Sequence, residues 1–231
     1  MSILFVVSTP IGNLEDITFR AVRILSEADI IASEDTRHTK ILLDRYSIKT
    51  LLSSYHKFNV KSKTNYFIDL LREGKKVALV SDAGTPGISD PGYELIEAAI
   101  KNNIQIVPIP GASAFTVALS VSGLSTDRFL FLGFLPRKPG KIRKILKMFT
   151  IFDGTIIIYE SPYRLLKTLK FVQEVFGERN VVIARELTKK FEEILRGTVS
   201  SVYEKFVGRN IKGEIVLLID GSKQAAQSGE M

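Results

Sequence analysis

Ser81-Asp82-Ala83-Gly84-Thr85-Pro86-Gly87-Ile88-Ser89-Asp90-Pro91-Gly92 is the stretch whose reading decides the fold. The apolar run Val77 to Val80 before it reads as a short buried strand. After it, Tyr93 to Ile100 places Leu95, Ile96, Ala99 and Ile100 on one helical face. Three glycines and two prolines separate the two elements. Glycine lets a main chain approach a ligand closely, and proline fixes the turn. Asp90 is the expected N-cap, with Pro91 at the first helical position. An ordinary strand-to-helix connection would account for a lone Gly-rich loop. Two acids, two serines and a threonine in the same loop point instead to a binding site at a strand's carboxyl end.

Working outward, the same strand–loop–helix unit recurs. Towards the N-terminus lie strands at Ile3 to Val7, Asp29 to Ala32 and Leu51 to Leu52, and helices over 17–28, 36–45 and 61–72. The continuous apolar runs are those of strands covered on both faces. Beyond the central helix, Ile104 to Ile109 is a further strand, and a helix follows Pro110-Gly111-Ala112-Ser113-Ala114 to about Ser122. This alternation predicts a mostly parallel sheet with helices on both faces. The pattern changes at Gly123 to Asp127. Further strands are expected at 129–134, 155–159, 181–184, 193–196 and 214–219, and helices at 142–149, 163–176 and 199–206. Ser161 and Pro162 are the expected cap of the second of these. The expected organisation is an α/β domain over 1–123, a second α/β domain over 124–221 with a mixed sheet, and a polar tail over 222–231.

Composition narrows the chemistry. The 231 residues are 45% hydrophobic and 25% charged, as in a soluble globular protein. There is no cysteine, which excludes disulfides and thiolate chemistry, and two histidines, His38 and His56, make a histidine metal site an unpromising expectation. The N-terminal apolar run is too short for a signal segment and no stretch approaches a membrane span, so a cytoplasmic protein without a membrane partner is expected. The net charge of +7 favours an anionic partner.

Four polar, small-residue loops fall at strand ends: Ser8 to Leu14, Ser33 to Thr36, Ser81 to Gly92 and Pro110 to Ala114. In a parallel sheet those ends share one edge, where ligands bind. None is a G-x-x-x-x-G-K-[ST] loop, and no G-x-G-x-x-G follows the first strand, so neither a triphosphate nor a classical dinucleotide is expected. Glu34-Asp35-Thr36-Arg37-His38-Thr39 gathers four ionisable side chains. Asp35 or Thr36 serves equally as a helix cap, or Asp35 and Arg37 orient a substrate hydroxyl. Between Asp127 and Asp153 there are seven basic residues and no acid: Arg128, Arg137, Lys138, Lys141, Arg143, Lys144 and Lys147. A solvated helix face and a contact with a phosphate backbone both explain such a run. Arg185 and Glu186 read as an ion pair.

Nine segments in order carry a resemblance. They are Thr-Pro-Ile-Gly-Asn-Leu (9–14), Glu-Asp-Thr-Arg (34–37), Ser-Asp-Ala-Gly-Thr-Pro (81–86), Ser-Asp-Pro-Gly (89–92) and Pro-Gly-x-Ser-Ala (110–114). Gly-Phe-Leu-Pro-Arg-Lys (133–138), Tyr-Glu-Ser-Pro (159–162), Ala-Arg-Glu-Leu-Thr-Lys (184–189) and Gly-Glu (213–214) complete them. The chain resembles the tetrapyrrole methylase superfamily, and within it the 2′-O-ribose methyltransferases of small-subunit ribosomal RNA. It departs from their pattern at Ala112, where proline is frequent, at Tyr163, where histidine is common, and in lacking the C-terminal segment of longer members.

The resemblance implies a two-domain fold with S-adenosylmethionine in the interdomain cleft, a homodimer, and methyl transfer to a cytidine 2′-hydroxyl in the decoding region of 16S rRNA, free or in the 30S subunit. It implies cofactor contacts from Pro10, Ser81, Asp82, Ala83, Gly84, Thr85, Ala112, Ser113 and Ala114 in the first domain. From the second it implies Tyr159, Glu160, Ser161, Arg185, Gly213, Glu214 and Ile215. Glu34 or Asp35 would accept the proton and Arg37 would hold substrate. Arg137, Lys138, Lys141, Arg143 and Lys144 would bind RNA. Two alternatives compete: a tetrapyrrole (precorrin or uroporphyrinogen) C-methyltransferase on the same scaffold, and a non-catalytic RNA-binding assembly protein.

Overall fold

The computed structural model describes residues 2–221, so the expected polar tail lies outside the described residues. The chain divides into two compact units, one ending at Ser113 and the other starting at Ala114.

The first unit is a five-stranded sheet in the order β3-β2-β4-β1-β5, every pair parallel. The strands are β1 (Ile3–Val7), β2 (Ile30–Ser33), β3 (Leu51–Ser54), β4 (Lys76–Val80) and β5 (Gln105–Ile109). Between them run α1 (Phe19–Glu27), α2 (Thr36–Arg45), α3 (Val60–Arg72) and α4 (Tyr93–Lys101). Side chains alternate across a strand, and here both sets are apolar. Phe5, Val7, Ile31, Ala78 and Val80 pack with Leu25 of α1 and Leu43 of α2. Leu4, Ile30, Ala32, Val77 and Leu79 pack with Phe67 of α3 and Leu95 of α4 on the opposite face. That double burial is why these strands read as unbroken apolar runs.

Ligand geometry follows from the strand order. β1 lies beside β4, yet the chain leaves β1 through α1 towards β2 and leaves β4 through α4 towards β5. The two helices lie on opposite faces, so the connections diverge at a topological switch point. Divergence there opens the crevice in which ligands of open parallel sheets are held.

The expected start of α4 needs correction. Asp90 is not the cap and Pro91 is not helical: Gly92 is the N-cap, and Ile96 N–H donates to its carbonyl at 3.0 Å. Gly92 has φ 147°, and a Cβ there would lie 3.0 Å from Gly87 N and 3.2 Å from the Leu79 side chain. The loop thus folds back on itself, with Gly87 N–H on Pro91 O at 3.3 Å, before helix becomes possible. Ile100, expected on the buried face, is 61% exposed, whereas Leu95 and Ala99 are fully buried.

The second unit is a mixed sheet, β6-β7-β10-β8-β9, with β6 parallel to β7 and the other pairs antiparallel. It contains α5 (Ala114–Ser120), β6 (Phe129–Phe134), α6 (Pro139–Lys147), β7 (Thr155–Glu160), α7 (Leu165–Phe176), β8 (Asn180–Arg185), β9 (Glu193–Thr198), α8 (Val199–Phe206) and β10 (Ile215–Asp220). The boundary expected at Gly123 therefore falls after Ser113. α5 packs on β7 and β10, and Arg196 of β9 donates to the carbonyls of Val121 and Ser122, which fixes this segment to the second sheet. α6 begins at Pro139, earlier than expected, with proline in the first turn, where its missing N–H costs no hydrogen bond.

Ser161 does not cap α7 through its hydroxyl. The carboxylate of Glu160, its side chain fully buried, accepts Ser161 N–H at 2.8 Å and Thr168 Oγ1–H at 2.6 Å, and pairs with Arg164 Nε at 3.3 Å. The chain turns around this acid first, Arg164 and Leu165 N–H donating to Ser161 O, and the helix starts at Leu165. Arg164 Nη2 also donates to the carbonyls of Leu135 and Pro136, so one buried carboxylate anchors the loop that leads into α6.

Two stability outcomes are expected. Gly92→Ala forces a Cβ into the loop closure and should lower unfolding free energy by ~1–3 kcal/mol in urea titrations. Arg164→Met strands the Glu160 carboxylate and should cost ~2–3 kcal/mol, less than a fully enclosed pair because Arg164 is part-exposed. Arg23→Met, which breaks only the exposed pair with Glu27, should change stability by less than about 0.5 kcal/mol.

Candidate active site

At the carboxyl edge of the first sheet, the loops after β1 and β4 are tied together. Thr9 and Gly84 exchange backbone hydrogen bonds, Thr9 N–H to Gly84 O at 2.8 Å and Gly84 N–H to Thr9 O at 3.1 Å. Ser8 Oγ and Thr85 Oγ1 are 2.9 Å apart, and Thr9 Oγ1–H donates to Ser81 O at 3.2 Å. Gly84 adopts φ 81°, open to glycine without strain. The loop after β5 closes on the same place: Ser8 N–H donates to Ile109 O at 3.1 Å, and a Cβ on Gly111 would lie 2.9 Å from Ser8 Cβ. Pro10, Ser81 and Gly84 are buried, while Asp82, Ala83, Thr85, Ala112 and Ser113 are half-buried. The structure brings these expected residues of the first unit together. Ser8 and Thr9 knit the loops, and in the sequence they differ from ordinary loop residues only in what lies across from them.

The loop after β2 is joined to the same group. Asp35 N–H donates to Asp82 Oδ1 at 2.8 Å, and the Asp82 amide lies near enough to the Glu34 carboxylate to favour its charged form. The two candidate bases differ. Asp35 is the N-cap of α2: Oδ1 accepts Arg37 N–H at 2.9 Å and Arg37 Nε–H at 3.1 Å, and Oδ2 accepts Arg37 Nη2–H at 2.7 Å. Its hydrogen bonds with the Arg37 guanidinium hold the Asp35 carboxyl well below the usual carboxylate range. Glu34 is half-buried, and burial pushes its carboxyl above the ordinary value of 4.5, with the nearby Asp82 charge adding to the effect. The Asp82 amide, Lys57 and His56 offset part of that rise. A carboxylate engaged on both oxygens by its neighbours is a weak proton acceptor, and one raised towards neutrality is a better one. Cap and ion pair describe Asp35; proton acceptance suits Glu34.

In the second unit, Tyr159, Glu160 and Ser161 sit at the end of β7, and Gly213, Glu214 and Ile215 at the start of the neighbouring β10, with Ile215 opposite both Glu160 and Arg185. These residues share one sheet edge. Their side chains are used locally. Tyr159 OH accepts Phe115 N–H at 3.3 Å in the first turn of α5, beginning at Ala114, and its ring meets Phe131 and Phe134 edge-on. Glu160 is turned inwards on Arg164, so its backbone is what remains for a ligand.

The expected Arg185–Glu186 pair is not formed. The β8–β9 register sets Arg185 opposite Glu193, and Arg185 Nε–H donates to Glu193 Oε2 at 2.9 Å while Nη1–H holds Lys212 O at 3.1 Å. Glu186 instead accepts Lys189 Nζ–H and Glu214 N–H, each at 3.0 Å. Burial works to raise the Glu186 carboxyl, but the Glu214 amide and Lys189 outweigh it and leave it lowered. Glu186 and Thr188 both have positive φ, 51° and 66°, and a Cβ at Gly213 would collide with the Glu186 side chain. Backbone strain of this kind persists where surroundings over-determine it. Arg185 also lines a cavity of ≈ 350 Å³ with Phe191, Arg209 and Lys212.

Of the five basic residues expected to meet RNA, Arg137, Lys138, Lys141 and Lys144 are exposed. Arg143 is committed elsewhere: Nε–H donates to Glu174 at 2.7 Å, and the guanidinium stacks 4.6 Å from the Phe171 ring centroid. Among the described residues no cluster of His, Cys, Asp and Glu is arranged to hold a metal, and no helix is long and apolar enough to cross a membrane.

Residues 4–203 match the model of the tetrapyrrole (corrin/porphyrin) methylases. The chain is 50% identical to ribosomal RNA small subunit methyltransferase I of Halalkalibacterium halodurans, over 99% of this chain and 79% of that protein. It is 47% identical to the protein of the same name from Thermotoga maritima, over 96% of this chain and all of that protein. Among solved structures, the methyltransferase CobJ superposes with a TM-score of 0.70 at 20% identity, covering 95% of this chain and 94% of that one. Uroporphyrin-III C-methyltransferase of Thermus thermophilus gives 0.67 at 20%, covering 96% and 95%. At that identity the superpositions establish the fold, whereas the near-full-length identities are those of one family. The chain belongs to the tetrapyrrole (corrin/porphyrin) methylases, and within them to the family of ribosomal RNA small subunit methyltransferase I.

Proposed function

We propose that this protein methylates the ribose 2′-hydroxyl of a cytidine in the decoding region of 16S rRNA, with S-adenosylmethionine as methyl donor. The observation that carries the reading is the near-full-length identity to proteins named small-subunit rRNA methyltransferases, joined to a half-buried carboxylate, Glu34, at a strand-end crevice. The donor supplies a methyl group activated on a sulfonium. The first-unit loops fit such a ligand. They offer hydroxyls from Ser8, Ser81 and Thr85, without a phosphate-loop lysine. Pro10, Ser81 to Thr85, and Ala112 to Ser113 line the cofactor from this unit. In the second unit, Ala114, Tyr159 to Ser161, Arg185 and Gly213 to Ile215 are the candidates, Glu160 through its backbone.

Glu34 takes the proton from the ribose hydroxyl as its oxygen forms a bond to the methyl carbon, and the carbon–sulfur bond breaks to leave a neutral thioether. Arg37, held by Asp35 yet with its side chain 90% exposed, steers the RNA. Alignment of oxygen, carbon and sulfur with water excluded supplies much of the rate. Arg137, Lys138, Lys141 and Lys144 neutralise RNA phosphates. The enzyme acts in the cytoplasm as a homodimer.

Labelled donor offered separately to 30S subunits, naked rRNA and a tetrapyrrole precursor should place label on RNA, at one nucleotide whose 3′ phosphodiester becomes resistant to alkali. Label on the macrocycle alone overturns the RNA reading, and absence of donor binding by calorimetry overturns any methyltransferase. Glu34→Gln should lower the single-turnover rate by ~10²-fold or more and abolish the acid limb of the pH–rate profile. In the wild type that limb should lie above 4.5, because the base is lost as pH falls through a raised carboxyl pKa. Asp35→Asn should weaken the α2 cap and loosen Arg37 but keep the acid limb. Wild-type single-turnover rates in both variants would remove Glu34 and Asp35 from the chemistry.

A further inference from the structure

The loop after β3, Tyr55-His56-Lys57-Phe58-Asn59, has entered so far only through the charges of Lys57 and His56 near Glu34. Between Asp44 and Asp69 the chain carries Arg45, Lys49, Lys57, Lys61 and Lys63 and no acidic residue, a second unbalanced stretch in the opposite half of the molecule's sequence from the first. Its position is set by strand register. β3 pairs with β2 with Ser33 opposite Ser54, and Tyr55 N–H donates to Ser33 O at 2.7 Å. The loop therefore leaves the sheet edge abreast of Glu34.

The loop is built to hold its shape. Asn59 Oδ1 accepts His56 N–H at 2.8 Å, and Asn59 Nδ2–H donates to Ser54 Oγ at 3.1 Å and Ser54 O at 3.3 Å. Asn59 N–H closes back on His56 O at 2.9 Å. Beneath it, Tyr55 is 1% exposed, its hydroxyl 3.0 Å from Thr64 Oγ1 and its ring edge-on to Phe67. On this clamped base Phe58 stands 84% exposed, with Lys57 Nζ 4.9 Å from its ring centroid and the exposed Lys61 in the first turn of α3. A clamped loop that holds one aromatic ring in water between cations has the components of single-strand RNA recognition: a π-face for an unstacked base and charges for its phosphates. A protein-docking surface would join several apolar side chains, and the groups against the Phe58 ring are the Lys57 ammonium and the edge-on His56 imidazole.

We propose that this loop grips the rRNA segment carrying the target nucleotide, Phe58 stacking on an unpaired base while Lys57 and Lys61 neutralise the adjoining phosphates. The inference rests on the rRNA-methyltransferase reading and adds a substrate-binding element to it. Held abreast of Glu34, a stacked neighbour fixes the strand so that the target ribose presents its hydroxyl to the base.

The test uses purified 30S subunits and the full chain, with melting temperature as a folding control. Phe58→Ala should raise KM for the subunit by at least about fivefold, the lower end of what one stacked base contributes, while the donor Kd measured by calorimetry stays unchanged. Phe58→Trp should restore KM. Lys57→Gln with Lys61→Gln should weaken subunit binding and flatten its salt dependence by roughly 0.7 in log–log slope per lysine removed. An active wild type whose variants keep both KM and salt slope overturns the loop proposal alone, as does a donor Kd that worsens in step with KM. A wild type that neither binds nor methylates rRNA overturns the functional reading and the loop proposal with it.

Discussion

The reciprocal hydrogen bonds between Thr9 and Gly84 are the constraint on which the first unit's site depends. β1 and β4 run in parallel to Val6 and Leu79, after which their connections depart to opposite faces of the sheet. Left to themselves, two diverging loops would leave their amides to water and their ends mobile. The antiparallel bridge at Thr9 and Gly84, with the Ser8–Thr85 and Thr9–Ser81 contacts beside it, holds them at hydrogen-bonding distance just beyond the sheet. Only a residue able to take φ 81° without strain serves at position 84. From that tie the Asp82 side chain reaches Asp35 and its amide reaches Glu34, so a backbone closure at one pair of strands places the carboxylate of another.

The second unit works by a different device, the pairing of carboxylates that are buried at Glu160 and half-buried at Glu186 and Glu193. Glu160, Glu186 and Glu193 each take a cation and a further donor: Arg164 with Thr168, Lys189 with the Glu214 amide, and Arg185 with Arg209. Such pairs contribute little net stability relative to apolar packing, because removing charge from water offsets the attraction. What they supply is position. Glu160 and Arg164 hold the loop before α6, and Arg185 holds the chain at Lys212 just before Gly213. Residues that looked like ligand contacts are in several cases the struts of the loops that carry them.

Much of the architecture was legible because its signals are local. Ile3–Val7, Thr36–Arg45 and Val199–Phe206 run as their apolar spacing predicts, and the unbroken apolar strands announced a sheet covered on both faces. What escaped reading was set across the sheets. Asp90 and Pro91 look like a helix start, yet Gly92 must first close the loop against Leu79. Arg185 and Glu186 are neighbours in sequence, but β8 ends at Arg185, where the cross-strand partner Glu193 takes its guanidinium, and Glu186, on a left-handed backbone just beyond, pairs with Lys189. The segment to Ser122 reads as the last piece of an alternating domain, and Arg196, distant in sequence, binds it to the other sheet. The basic run between Lys57 and Lys63 is as free of acids as the one after Asp127, but only β-strand register shows that it stands beside Glu34.

The sequence by itself determined the α/β class, the parallel and mixed halves, the strand-end loop Ser81 to Gly92, and the family, because residue type, periodicity and motif order are properties of the chain alone. The tertiary structure decided which member of each polar loop is free to act. It committed Asp35 to capping α2 and holding Arg37, turned Glu160 inwards, engaged Arg143 with Glu174, and left Glu34 half-buried beside Asp82. A side chain's availability depends on what strand order and register bring opposite it, and those partners lie up to dozens of residues away along the chain.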